Sequence, residues 1–308
     1  MSTTSQTSPL DTETPTRSSV AVVQTLHLHD GRGLCVRRWG GRGQETVVLL
    51  HGLLDSSEGW TRLCERLPGA SVAFDLPGFG YSDAPSNGSI AGYARDVAEG
   101  LEMLGVDQMI LVGHSLGGGV AAALAEMLPQ RVAALVLFAP VGFGRVPLAE
   151  AVSLPGLSNL MVLALPALLS SRVAVTAAYL TMVTNGKWPE PGLVQRVTSR
   201  GQYLVDGVRE GVRSMTKAAE PSGAPERRRA RYEGPVHAVW GDRDRLVPLS
   251  HRHAVLAAFP QAHIQVWPGM AHHPMRERAD GLVAVVQQAI VEGRARRRLP
   301  TVSLTSAA

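Results

Sequence analysis

Cysteine is scarce in this chain, and its first residues hold no apolar run. Cys35 and Cys64 are the only two cysteines among 308 residues. Two cysteines are too few for a disulfide-rich scaffold or for a zinc module built on cysteine ligands. The first twenty residues contain no apolar run of the kind found in secretory signal peptides, so we expect a cytoplasmic protein. A chain of this length can bury a sizeable core without covalent staples.

An excess of one charge is also lacking over most of the chain. The formal net charge is +4, from 30 basic and 26 acidic residues. Four arginines between residues 294 and 298 account for the excess, and the rest of the chain is balanced. Proteins that bind nucleic acid concentrate basic residues against the phosphates. The sequence therefore predicts no nucleic-acid partner.

What the chain does contain is an alternation of short apolar segments with longer segments of helical pattern. Several of the apolar segments are continuous, as expected for parallel strands buried on both faces. The alternation predicts an α/β fold, a mostly parallel eight-stranded sheet flanked by helices. The predicted strands are Val20–Leu28, Leu34–Trp39, Thr46–His51, Ser71–Asp75, Met109–Gly113, Val132–Phe138, Pro235–Trp240 and Ala262–Trp267. The predicted helices are Trp60–Leu67, Ile90–Leu104, Leu116–Leu128, Ser250–Phe259 and Asp280–Ile290.

The alternation is interrupted once, and the interruption sets the domain organisation. Between Phe138 and Pro235 lie 96 residues, whereas a crossover between parallel strands needs about a dozen. An inserted helical cap over the carboxyl ends of the strands explains the excess, because ligands bind at those ends. We expect a disordered arm at 1–19, a core at 20–140 and 232–292, a cap at 141–231 and a basic disordered tail at 293–308.

The predicted cap contains a long segment with almost no charge. From Ala151 to Gly186 the only charged residue is Arg172. Although about 20 uncharged residues can cross a bilayer, a single crossing here would separate the two halves of the core. We therefore expect no transmembrane segment. The apolar cap should face either the mouth of the active site, where Leu163 and Leu169 would line an acyl pocket, or a lipid surface, as a peripheral membrane contact.

The segment LVGHSLGGG carries a possible nucleophile. Gly113, Ser115 and Gly117 have the G-x-S-x-G spacing, between an apolar strand and an alanine-rich helix. In that setting a tight turn presents the serine hydroxyl, and the glycines avoid side chains that would clash. The spacing alone also fits an ordinary glycine-rich turn. The strand before it and the helix after it favour a nucleophile elbow.

A serine nucleophile needs a base and an acid that orients the base. After an elbow the expected order along the chain is serine, acid, histidine. Asp242 and Asp244 follow one late strand, and His272 and His273 follow the next. Both pairs should lie at the strand ends beside Ser115. The spacing does not choose within either pair.

An acyl-transfer site also needs two N–H groups directed at the developing oxyanion. One comes from the residue after the nucleophile, here Leu116, and the other from the loop after the third strand. We assign the second to Leu53, and we interpret His51 beside it as structural. His27 and His29 share a strand face, but no third ligand accompanies them. The sequence predicts neither a metal nor a cofactor.

At these residues the chain resembles the α/β-hydrolase superfamily, over roughly residues 20–290. The matching segments are HGLLDSSEGW, DLPGFGYSD, GHSLGGG, GDRDRLVP and GMAHHPMRER, in the family's order. The resemblance implies that Asp244, in a G-x-x-D-x-x-x-P stretch, is the acid rather than Asp242. It also implies that His272 is the base rather than His273, although the residue before it is Ala271 where the family commonly has glycine. A serine at the elbow argues against relatives that open epoxides or displace halide with aspartate.

The resemblance implies a capped serine hydrolase of the esterase or lipase type. Its catalytic residues would be Ser115, Asp244 and His272, with Leu53 and Leu116 forming the oxyanion hole. The expected substrate is a small hydrophobic ester with an apolar acyl group, cleaved through an acyl-enzyme. Two alternatives stay open. One is a carbon–carbon bond hydrolase or a perhydrolase on the same triad, and the other is a ligand receptor or interaction protein with little turnover.

Overall fold

An eight-stranded sheet forms the centre of the protein in a computed structural model that describes residues 21–40, 45–218 and 230–298. The strand order is β1-β2-β4-β3-β5-β6-β7-β8. Strands β3 to β8 pair in parallel, and β1 and β2 form an antiparallel edge. The strands are β1 (Val22–His27), β2 (Gly33–Trp39), β3 (Thr46–Leu50), β4 (Ala70–Phe74), β5 (Met109–His114), β6 (Val132–Phe138), β7 (Val236–Gly241) and β8 (Ala262–Trp267). All eight predicted strands are confirmed, with ends within two residues of the predicted ones.

Helices cover both faces of the sheet because its central strands are apolar on both sides. In β3, Val48 and Leu50 join one buried cluster while Val47 and Leu49 join another, as the two-residue period of a strand requires. The core helices are α1 (Thr61–Cys64), α2 (Ile90–Met103), α3 (Leu116–Met127), α9 (His251–Ala258), α10 (Pro274–Glu277) and α11 (Ala279–Arg298). The first cluster packs under α2, α3 and α9, and the second under α1 and α11. The predicted α/β architecture is thus confirmed.

Helices occupy the described part of the long connection between β6 and β7. They are α4 (Pro147–Ser153), α5 (Leu157–Ser170), α6 (Arg172–Ala178), α7 (Pro191–Ser199) and α8 (Gly201–Ala218). A π-helical turn, Tyr179–Val183, continues α6. We call α4 to α8 with this turn the cap. Its α5 packs against α8 and α7, and α8 reaches down to the core.

The C-terminal boundary predicted at residue 293 is wrong, because α11 continues to Arg298. Arg294 and Arg297 lie 3.0 and 3.3 Å from the two carboxylate oxygens of Glu45. Arg296 lies over the ring of Tyr232. Alanine, glutamate and arginine are good helix formers, and these contacts hold the basic turn against the core. The predicted arm at 1–19 and the residues from 299 onward lie outside the described residues.

Among the residues that the structure describes, no single helix is long and apolar enough to cross a bilayer. Two consecutive helical segments, Leu163–Ser170 and Arg172–Val183, have a suitable length and composition only when taken together, and they are bent by 93° at their junction.

Two glycines of α8 control how closely the cap approaches the core. A Cβ at Gly207 would lie 2.1 Å from the carbonyl oxygen of Gly78, which is rigid backbone. A Cβ at Gly211 would lie 2.5 Å from Cδ1 of Leu53, the flexible end of a side chain. The two glycines stand one helical turn apart, so they form a matched pair.

We expect Gly207→Ala to lower the free energy of unfolding by about 1–3 kcal/mol, because the backbone contact cannot yield. Gly211→Ala should change it by less than about 1 kcal/mol, since the leucine can move and alanine favours the helix. Thermal and urea unfolding of both variants measure the difference. Equal stability of the two variants would contradict the close packing of α8 on Gly78.

Candidate active site

Ser115 occupies a strained turn between β5 and α3. Its φ of 54° lies in the left-handed region, which is costly for a residue with a side chain and is typical of functional sites. The turn is held because the Ser115 N–H donates to the carbonyl of Phe138 at 2.8 Å. A Cβ at Gly117 would lie 2.3 Å from the carbonyl oxygen of Leu50, and one at Gly113 would lie 2.3 Å from that of Gly117. The glycine spacing is therefore a packing requirement of this turn.

Asp244 and His272 come together at the ends of β7 and β8. Oδ2 of Asp244 lies 2.7 Å from Nδ1 of His272. Oδ1 of Asp244 accepts the N–H groups of Leu246 and Val247, each at 2.9 Å. Both side chains are buried. These bonds fix the carboxylate and engage Nδ1 of His272, so Nε2 is the ring nitrogen that is not bound to the acid.

The alternative acid, Asp242, lies away from His272 and binds a different loop. Asp242 is exposed, and its Oδ1 accepts the N–H of Gly269 at 2.7 Å. Asp242 therefore ties the loop after β8 to the end of β7. The structure brings Asp244, and not Asp242, to His272.

His273 belongs to a second hydrogen-bonded group beside the first. Its Nε2 lies 3.5 Å from Oδ2 of Asp55, and its Nδ1 lies 2.9 Å from the hydroxyl of Tyr179 in the cap. Burial alone would raise the pKa of Asp55, but His273, His51 and the Ser56 N–H together outweigh it, and the pKa is lowered to about 2. Burial raises the pKa of Tyr179. This group joins the cap to the loop after β3.

His114 links the elbow to the histidine loop. Its Nε2 lies 2.7 Å from the carbonyl oxygen of His272, so it must carry the hydrogen and donate. The two rings lie 4.8 Å apart between centroids. Burial, with the neighbouring His272 and His273, lowers the pKa of His114 well below its usual range, which favours the neutral imidazole. His114, which directly precedes Ser115, thereby holds the backbone of His272 close to the elbow.

The predicted oxyanion donors are Leu53, in the loop after β3, and Leu116, the first residue of α3. The N–H groups of Leu53 and Leu116 have no hydrogen-bond acceptor within the described residues. The side chains of both leucines approach Gly211 of the cap. His51 donates from Nδ1 to the carbonyl of Gly52 and accepts the N–H of Leu76 at Nε2. These bonds are what a structural role of His51 requires.

The cap closes over this site. Ser115 is only 5% exposed, and the carbonyl of Val183 in the cap accepts the N–H of His272 at 3.0 Å. The guanidinium of Arg245, in the loop after β7, donates to the carbonyl of Thr181. The turn Tyr179–Val183 therefore binds both the acid loop and the histidine loop. The cap therefore leaves little of Ser115 accessible in this structure.

Sequence reasoning missed His114, Asp55 and Tyr179. His114 occupies the variable position before Ser115 in the elbow motif. A histidine at the end of a continuously apolar strand could have been recognised as a buried polar group that needs a partner. Asp55 and Tyr179 had no such signal, because their contact with His273 depends on how the cap sits on the core. Among the described residues, no group of three or more potential ligands could hold a metal ion, and His29 lies 2.6 Å from Glu99.

The known proteins that this chain resembles have the same type of fold. A family model described as the alpha/beta hydrolase fold matches residues 45–181. The dihydrolipoyllysine-residue acetyltransferase component of an acetoin cleaving system from Cupriavidus necator is 32% identical over 84% of this chain and 67% of its own length. A 2-hydroxy-6-oxononadienedioate/2-hydroxy-6-oxononatrienedioate hydrolase from Comamonas testosteroni is 27% identical over 83% of this chain and 87% of its own. A solved structure from Acinetobacter baumannii, provisionally assigned as a lipase, superimposes with a TM-score of 0.73 at 18% identity, covering 90% and 93% of the two chains.

Proposed function

This chain belongs to the α/β-hydrolase superfamily, and we propose that it is a serine hydrolase that cleaves carboxylic esters of apolar acyl groups. The observation that carries the proposal is the hydrogen bond of 2.7 Å between the buried Asp244 and His272, on the loop that His114 ties to the Ser115 elbow. A buried acid that orients a histidine beside a strained serine is the arrangement that acyl transfer uses.

The proposed reaction proceeds in two halves on the same residues. Oγ of Ser115 attacks the acyl carbon while Nε2 of His272 takes the hydroxyl proton, and the N–H groups of Leu53 and Leu116 bind the oxyanion. The tetrahedral intermediate collapses, and His272 gives its proton to the leaving alcohol. Water then attacks the acyl-enzyme with His272 again as the base, which releases the acid and restores Ser115. Asp244 holds the imidazole in the required tautomer throughout.

A second candidate is the hydrolysis of carbon–carbon bonds on the same triad. The relative from Comamonas testosteroni, which is named for such a reaction, favours it. The two candidates differ in what the enzyme turns over. An enzyme that cleaves a vinylogous diketone of the kind formed by ring fission, and leaves simple esters almost untouched, would support the second candidate over the first.

The groups nearest to the proposed oxyanion donors predict a preference for apolar acyl chains. Side-chain atoms of Leu53, Leu116 and Phe79 all lie within 4 Å of the Cβ position at Gly211. Each methylene that leaves water there contributes about 0.8 kcal/mol, or roughly fourfold in kcat/KM. We expect kcat/KM for p-nitrophenyl esters to rise from the acetate to about the hexanoate or octanoate. Stopped or continuous assays of the released nitrophenolate measure the series.

Leu163, predicted from the sequence to line an acyl pocket, is 79% exposed and faces away from the core. The prediction for Leu163 is therefore wrong, and Leu163→Asp should leave the ester series unchanged, which makes it a control. Leu169 is buried. A series that is highest for the acetate and falls with each methylene would show that the cap shuts the acyl site instead of lining it.

A further inference from the structure

The cap exposes an apolar surface on the side away from the active site. Leu163 and Val173 are 79% and 80% exposed. Leu157 and Leu160 on α5 are also exposed, at intervals of three residues with Leu163, so they stand along one side of the helix. We call Leu154, Leu157, Leu160, Leu163, Leu168 and Val173, all exposed, the outer cap face. An apolar surface of this kind on a folded chain marks a site of interaction.

The segment that carries the outer cap face has one basic residue and no acid. Between residues 151 and 186 the only charged side chain is that of Arg172. Arg172 is exposed and stands at the bend between α5 and α6. The acidic side chains of the cap and its loops are paired with arginines, as Arg145–Glu150, Arg62–Glu190, Arg209–Asp206 and Arg213–Glu210. An apolar face whose own segment carries an arginine and no acid, with the nearby acids already paired, matches a surface that is apolar and anionic.

We propose that the outer cap face docks on the surface of a lipid bilayer that carries anionic headgroups. Helix α5 has 14 residues, about 21 Å at 1.5 Å per residue, which is shorter than the hydrocarbon core of about 30 Å. The bend of 93° after it suits helices lying on a surface. A second copy of the chain is a poorer occupant, because two such faces offer no acid to Arg172 of the other copy.

Docking would place the cap between the bilayer and Ser115. Esters of apolar acyl groups accumulate in a bilayer, so the proposed substrates would be concentrated beside the element that covers Ser115. This consequence rests on the proposed function, whereas the docking itself does not. The two can therefore be tested apart.

The test is co-sedimentation with vesicles of phosphatidylcholine alone and of phosphatidylcholine with about one-third phosphatidylglycerol. We expect the wild-type protein to sediment with the anionic vesicles and to be released at high salt, because screening weakens the attraction of Arg172. Leu160→Asp and Leu163→Asp should each lower the partition coefficient about tenfold, since a carboxylate enters the lipid at high cost. Arg172→Gln should lower binding to the anionic vesicles and leave binding to the neutral ones unchanged.

Val291→Asp is the matched control, because Val291 is an exposed apolar residue on α11, away from the cap. It should bind vesicles as the wild type does, and so should the inactive Ser115→Ala. Turnover of p-nitrophenyl butyrate in the absence of lipid should be unchanged in all the variants except Ser115→Ala.

Three results would overturn the inference. The wild type could stay in the supernatant with anionic vesicles, Val291→Asp could reduce binding as much as Leu163→Asp, or the only effect of Leu163→Asp could be to convert a dimer to a monomer. A protein that binds vesicles but hydrolyses no ester would overturn the proposed function alone.

Discussion

Ser115→Ala should lower kcat for ester hydrolysis by about 10⁴- to 10⁶-fold, because no other group takes over covalent catalysis when the nucleophile is removed. A residual rate above that in water should survive, since the N–H groups of Leu53 and Leu116 are backbone groups that the substitution leaves in place. Steady-state kinetics with p-nitrophenyl butyrate measure the loss. The wild-type protein should also be labelled at Ser115 by a fluorophosphonate, and Ser115→Ala should not.

Ser71→Ala is the matched control for this substitution. Ser71 is fully buried in β4, and its hydroxyl has no hydrogen-bond partner among the described residues. Its removal should change neither kcat nor the thermal unfolding temperature appreciably. Circular dichroism of both variants checks that the fold persists. Near-native turnover by Ser115→Ala would end the serine-hydrolase proposal, and stoichiometric labelling of the wild type without turnover of any ester would support a receptor instead.

The core of this fold could be predicted because its signals are local. Strands β5 and β6 are continuously apolar and buried along their whole length, so the sequence pattern and the environment agree. The elbow at Ser115 needs glycine at two fixed positions for steric reasons. This requirement leaves a glycine spacing that can be recognised from the sequence alone. The proposed acid and base each follow a late parallel strand, and parallel strands end at one edge of the sheet.

The cap could not be predicted at the same depth, because its pattern does not distinguish its two sides. In α5 nearly every residue is apolar, so periodicity cannot separate the buried Leu169 from the exposed Leu163. The contact of Tyr179 with His273 likewise depends on how the cap is placed on the core. The helical continuation of α11 to Arg298 depends on Glu45, which is distant in the sequence. Each of these features is fixed by tertiary contacts that no local pattern records.

The two pairs of neighbouring residues, Asp242 with Asp244 and His272 with His273, allow the site to be tested by internally matched variants. His272→Ala should lower kcat by about as much as Ser115→Ala, and the double variant should be no worse than either, because the two residues act as a unit. Asp244→Ala should cost less, since its role is to orient the imidazole and to stabilise its cation. Fold and thermal stability serve as checks for each variant.

The neighbours should behave differently because their contacts are structural. His273→Ala should keep kcat within about tenfold of the wild type, since its ring bonds to Tyr179 and lies beside Asp55, and not at Asp244. Loss of that bond loosens the cap, so the effect should appear in KM and in the unfolding temperature. Asp242→Ala should likewise retain kcat, because its carboxylate only ties the loop at Gly269. If Asp242→Ala and His273→Ala proved to be the damaging pair, the acid and the base would be those residues, and the hydrogen bond between Asp244 and His272 would have only a structural role.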